Sequence, residues 1–195
     1  MPSSSSPTSE FLSVLRDNSR GLKDKYLNDP VGLAERFGLK LPRKPLYIMQ
    51  ELGLYDEATE GPIVPGLREL VEDVCNGIEE NAVVVGPRGG GKSQGVSFIE
   101  FFLWLLKDYD SLNLGGSELQ ADQVYRYLLA YMDTDHYWKD LVKGEPQRER
   151  TYNKEGAWAR VLTASSKSVR SPHAGGMKRN SKNELVERGG LLVID

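Results

Sequence analysis

The residues best equipped for chemistry are the run from Gly86 to Ser93, GPRGGGKS. It matches the pattern G-x-x-x-x-G-K-[ST] at every required position. The chemistry needs this spacing. A strand must end and turn tightly, so that successive backbone N–H groups point inward at phosphate oxygens. Glycines permit the dihedrals and the close approach that a side chain would block. A helix that follows directly then presents its N-terminus to the same negative charge. Gly86, Pro87, Arg88, Gly89, Gly90, Gly91, Lys92 and Ser93 therefore form a candidate cradle for the phosphates of a nucleoside triphosphate. Lys92 is placed to reach the β- and γ-phosphates, and Ser93 to offer a hydroxyl to Mg²⁺.

Three more residues belong to the same chemistry. Asp195 ends GGLLVID, an apolar run closing in an acid, which is how P-loop proteins bring a carboxylate to the Mg²⁺. The plainer reading is a polar residue where a strand meets solvent. Arg88 lies inside the loop, four residues before Lys92, and Arg170 lies in the polar segment SVRSPH. A guanidinium suits a transferring phosphoryl group, and it suits a surface ion pair equally well.

The elements that must position these residues can be read around them. NAVVVG has the size of a buried strand leading into the loop, and the segment from Lys92 to about Lys107 reads as a long helix. SLNLGG (111–116) reads as a second buried strand, and Ser117 caps a helix running to about Met132. RERTY and AWARVLTA flank NKEG as a β-hairpin. Residues 165–189 read as mostly loop, and GGLLVID as a third strand. Upstream, LRELVEDVCNGIEE places Leu67, Leu70, Val71, Val74 and Ile78 at helical spacing. Asp29-Pro30 opens a short helix that Gly38 ends, and Phe11–Arg16 suggests another. Continuous apolar strands alternating with helices predict an α/β fold, a mostly parallel sheet covered by helices. The expected organisation is a disordered tail over 1–9, a helical N-terminal adaptor over 10–66, and a nucleotide-binding domain over 67–195.

Composition excludes several classes. The chain has 195 residues, 39 % hydrophobic and 27 % charged, with a formal net charge of -3. This is ordinary for one packed domain with a small appendage. Its single cysteine, Cys75, allows no disulfide framework or multi-thiolate metal site and reads as a buried thiol. Two histidines, His136 and His173, are too few and too far apart for zinc. No run approaches a membrane span. The longest, Phe98 to Leu106, is broken by Glu100. The start, MPSSSSPTSE, lacks the basic and apolar regions of a secretion signal, and a reducing compartment fits. Between Lys139 and Arg188, twelve Lys/Arg face six Asp/Glu. That local excess suits either a solvated face or salt-dependent contact with nucleic-acid phosphates.

Taken in order, four segments resemble the ATPase part of the large terminase subunit of tailed phages: GPRGGGKS with Arg88 four residues before the lysine, LNLGGSELQADQVYRYL (112–128), LTASSKSVRSPHAG (162–175) and GGLLVID. The likeness covers about Asn81 to Asp195. It implies a P-loop NTPase of the additional-strand class that binds ATP and Mg²⁺ and drives double-stranded viral DNA into a procapsid. It also implies a homo-oligomeric ring, with portal protein and small terminase subunit as partners. The place of action would be the host cytoplasm, transiently at the procapsid portal. Arg170 is the candidate finger toward a neighbouring subunit. The P-loop by itself suits a helicase-type motor or a non-hydrolysing assembly module as well. In the resembled fold a later strand lies between the P-loop strand and the acid-ending one, and a glutamate follows the acid. The ATPase domain is thus expected to be incomplete at the C-terminus.

Overall fold

The computed structural model describes residues 21–41, 50–51, 53, 55–57, 61–62, 66–78, 82–84, 91–148, 150–163, 174–180 and 182–194. Residues 21–26 are helical. Helix α1 spans Pro30–Arg36, with Asp29 Oδ1 accepting from Gly32 N at 2.8 Å and proline in the first turn, where its missing N–H costs nothing. Two short strands, β1 (Tyr55–Asp56) and β2 (Gly61–Pro62), pair antiparallel. Helix α2 covers Leu67–Asn76 and Gly77 ends it. Ile78, read as part of that helix's apolar face, falls beyond its end and is 68 % exposed.

Helix α3, Lys92–Leu105, is the centre of the molecule. Every residue from Ser97 to Leu105 is buried, so this helix is enclosed on all sides rather than amphipathic. Strand β3 (Asp110–Gly115), helix α4 (Glu118–Asp133) and helix α5 (His136–Asp140) follow. Then come β4 (Val142–Lys143), β5 (Thr151–Asn153), β6 (Trp158–Thr163), β7 (Gly176–Arg179), β8 (Leu185–Arg188) and β9 (Gly190–Ile194). The main sheet has the order β4-β5-β6-β3-β9. β3 pairs parallel with β6 and with β9, while β4, β5 and β6 pair antiparallel.

The fold is thus α/β, and its sheet is mixed rather than mostly parallel. The antiparallel half is the predicted hairpin around NKEG, extended by β4. Asn153 anchors it: its Oδ1 accepts from Ala157 N at 2.8 Å, and its Nδ2 donates to Trp104 O at 3.0 Å and to Asp108 Oδ1 at 2.7 Å. One core joins the N-terminal residues to α3. The Phe37 ring stacks on Tyr131 at 5.3 Å and meets Phe98, Phe101 and Trp138 edge-on.

Two further expectations are corrected. Ala82–Val84 belongs to no strand, and Val83 is 92 % exposed. An apolar run becomes a strand only when a neighbouring edge takes its N–H and C=O groups and a packed face takes its side chains, and among the described residues neither reaches Val83; Asn81, Val85 and Gly86 of the same run lie outside the described residues. Residues 165–189, read as mostly loop, contain the β7–β8 hairpin. Its turn is built by Asn180, whose Oδ1 accepts from Lys182 N at 3.0 Å and Glu184 N at 2.9 Å. The hairpin escapes an apolar pattern because most of its side chains face solvent. Phe11–Arg16 lies outside the described residues. Among those described, no helix is long and apolar enough to cross a membrane.

Candidate functional site

The parallel strands β3, β6 and β9 put their C-terminal ends, Gly115, Thr163 and Ile194, at one end of the sheet. Helix α3 runs the opposite way. Near its C-terminus Trp104 Nε1 donates to Ala157 O at 3.1 Å, just ahead of β6. Its first turn, with Lys92 and Ser93, therefore lies toward the strand C-termini, the end at which open α/β sheets present ligand sites. Ile194 pairs with Leu114, so β9 reaches that end too. Among the predicted site residues the structure describes Gly91, Lys92 and Ser93. Gly86, Pro87, Arg88, Gly89, Gly90, Arg170 and Asp195 lie outside the described residues.

Two helices begin at this end, and their N-termini differ. α4 is capped: Gln120 N donates to Ser117 Oγ at 3.3 Å, and Ser117 N donates to Gln120 Oε1 at 3.0 Å. Its first turn sits so close to β3 that a Cβ at Gly115 would lie 2.5 Å from Ala121 N. α3 has Gly91 at its N-cap, with φ +76° and no side-chain cap hydrogen bond. That left-handed conformation favours glycine. Having no side chain, Gly91 offers no cap of its own, whereas Ser117 caps α4.

No protein-family model, curated protein or solved structure matches the chain. Its own residues carry the functional reading. Among the described residues no group of three or more His, Cys, Asp or Glu side chains could hold a metal ion. Ser93, half-buried in the first turn of α3, is the candidate ligand within the described set.

Behind the first turn, α3 is locked in place. Tyr131 OH donates to Gln94 O at 2.9 Å, and Ser97 Oγ to Ser93 O at 2.6 Å. Deeper still, Glu100 is wholly buried. Ser111 Oγ donates to its Oε1 at 2.7 Å, and Asn113 Nδ2 to its Oε2 at 3.3 Å. Burial pushes the Glu100 carboxyl above its ordinary range, and the two donors only partly oppose this. The cluster ties α3 to the central strand β3. Sequence reasoning saw Glu100 only as a break in an apolar run. Its missed signal is Ser111 and Asn113, two polar residues two apart on a buried strand.

Cys75 is buried as expected, and burial raises its thiol far above the reactive range. Tyr131 is core, and Tyr125 and Tyr127 pack against the same cluster.

Proposed function

We propose that the chain binds Mg²⁺ and ATP at Gly86–Ser93 and the N-terminus of α3, as the ATPase part of a large terminase subunit moving double-stranded viral DNA into a procapsid. The observation that carries the nucleotide reading is the start of α3 at a left-handed Gly91 that offers no side-chain cap, beside an α4 capped by Ser117. An anion belongs at such a terminus, and GPRGGGKS supplies the backbone and the lysine to hold a polyphosphate. The packaging role rests on the ordered likeness of four segments. The mixed α/β sheet is compatible with a P-loop NTPase of the additional-strand class.

In this reading the loop amides and Lys92 hold the phosphates, and Ser93 and Asp195 are the Mg²⁺ ligands. Arg88 or Arg170, the latter toward a neighbouring subunit of a ring, stabilises charge on the transferring phosphoryl group. Portal protein and small terminase subunit are the partners this role requires. The place of action is the infected host's cytoplasm, at the procapsid portal.

The test is nucleotide binding by titration of a fluorescent ATP analogue with Mg²⁺. Lys92→Ala is expected to weaken binding more than about tenfold, because it removes a charge-assisted contact to phosphate. Unchanged affinity in Lys92→Ala would end the phosphate-loop reading. One observation favours a second reading, a nucleotide-binding assembly module without turnover: Ala82–Val84, ahead of the loop, stands outside the sheet. Lys92-dependent binding with no phosphate release, with or without DNA, selects that second reading.

A further inference from the structure

At the other end of the sheet, where the parallel strands begin, an open cleft of about 780 Å³ lies between the β5–β6 turn and the β7–β8 hairpin. Lys143, Tyr152, Lys154, Glu155, Asn180 and Asn183 line it, with Gly156 at the turn. Lys143 and Lys154 are exposed and make no ion pair with a described residue. Other cations of the basic 139–188 stretch are committed elsewhere. Arg148 bonds Glu118 and Asp122, Lys139 bonds Asp133, and Arg179 Nη1 donates to Asn183 O.

Behind the lining residues Glu155 and Gly156 lies a buried cation. Arg188 is 6 % exposed, and its Nη2 donates to Glu155 O. That nitrogen lies 3.4 Å from where a Cβ would stand on Gly156. Arg188 Nε and Nη1 are buried and have no hydrogen-bond partner among the described residues. Asp110, buried at this end, has Lys178 Nζ at 3.7 Å, and no described carboxylate lies within ion-pair distance of Arg188. A desolvated guanidinium with two idle donors is costly unless an anion completes it.

We propose that this cleft is a phosphate-binding site for a nucleic-acid backbone, distinct from the phosphate loop, with Lys143 and Lys154 at its mouth and Arg188 beneath its wall. Phosphate is the chemistry that two lysines and a guanidinium share. The cleft's shape chooses between sources. Sites for small molecules are concave, largely apolar and nearly enclosed. This one is open, and Lys182 is exposed on the adjoining hairpin turn, so a strand can pass through it. Among the described lining residues Lys143 and Lys154 stand against one carboxylate, Glu155. The assignment takes its nucleic-acid partner from the function proposed above and gives that partner a place that does not depend on the phosphate loop.

The test uses the full chain and a short fluorescent DNA duplex, read by anisotropy across a salt series. The doubly substituted Lys143→Glu, Lys154→Glu chain is expected to bind more than about tenfold more weakly at low salt. Each lost phosphate contact should flatten the dependence of log affinity on log salt by about one. Arg188→Met, which keeps the buried stem, should lose affinity as well at an unchanged melting temperature. ATP-analogue binding should survive in these variants, and DNA binding should survive in Lys92→Ala, so failure of one site is distinguishable from failure of the other. Absence of DNA binding by the parent chain, or identical affinity and salt slope in the double variant and Arg188→Met, overturns the proposal. So does inorganic phosphate binding, followed by phosphorus NMR, that Arg188→Met abolishes while DNA affinity stays unchanged. That result assigns the cleft to a free small anion.

Discussion

Glu100 and Arg188 are both ionisable side chains taken almost wholly out of water, and the molecule treats them differently. Glu100 sits between α3 and β3, where each carboxyl oxygen accepts from a donor on the central strand. Burial keeps its proton on at higher pH than usual, so it can sit in the core without a counter-ion. Arg188 has no such escape, because a guanidinium does not deprotonate in proteins. It keeps its charge, spends one donor on Glu155 O and leaves two idle. The first group is finished by the chain itself and holds α3 to the sheet. The second is left incomplete beside an open basic cleft. The internal partners of Glu100 give it a structural role, and the lack of partners for Arg188 Nε and Nη1 among the described residues is what motivates the ligand proposed for it.

The largest expected effect breaks or upholds this contrast directly. Glu100→Ala leaves Ser111 Oγ and Asn113 Nδ2 buried without their acceptor and opens a void. Each orphaned group costs roughly 1–3 kcal/mol, so a loss of about 3 kcal/mol in urea unfolding is expected. Arg188→Met removes a buried charge and keeps an apolar stem of similar length. Such replacements are often neutral or stabilising, so the change should stay within about 1 kcal/mol. Equal losses in the two variants would mean that Arg188 is as structurally satisfied as Glu100, and the contrast would fall.

A middle-sized effect concerns pH. Glu100 has a folded pKa raised above its unfolded value of about 4.3. Its contribution is therefore fully present below the unfolded pKa and is lost as pH rises through the folded one. Glu100→Gln mimics the protonated form and cannot ionise. The stability of the parent chain relative to Glu100→Gln should fall as pH increases from acid toward neutral. Asp108, also raised by burial, is present in both chains and drops out of the difference. A constant difference across that range would show that Glu100 ionises in the fold as readily as in the unfolded chain.

Much of this architecture is legible in the sequence, and what is not has identifiable causes. α3, β3, α4, the β5–β6 hairpin and β9 announce themselves because local pattern and tertiary environment agree: apolar runs end up buried, and Ser117 and Asn153 terminate or anchor them. Val83 fails because an apolar run records only what a segment can bury, and no described neighbour takes it. The β7–β8 hairpin fails for the opposite reason, since an exposed ribbon set by an Asn180 side-chain turn needs no apolar alternation. At the candidate site, GPRGGGKS carries its chemistry in consecutive residues, so sequence suffices to propose it. The cleft draws Lys143, Lys154 and Arg188 from three elements, and only the fold brings them together.

The smallest expected effect probes the satisfied region from within. Ser111 Oγ donates to Glu100 Oε1 at 2.7 Å, and both are fully buried. Where Glu100 is protonated, this is a bond between neutral groups, and Ser111→Ala should cost about 1 kcal/mol. Where Glu100 is ionised, the same hydroxyl supports a charge, and the cost should rise to roughly 1.5–3 kcal/mol. The cost of Ser111→Ala, measured by urea unfolding, should therefore grow with pH in the parent background and stay flat in Glu100→Gln. Growth in both backgrounds would trace the effect to another titrating group. A flat profile in both would mean that the carboxyl keeps one protonation state throughout, and that its internal partners act on a neutral acid alone.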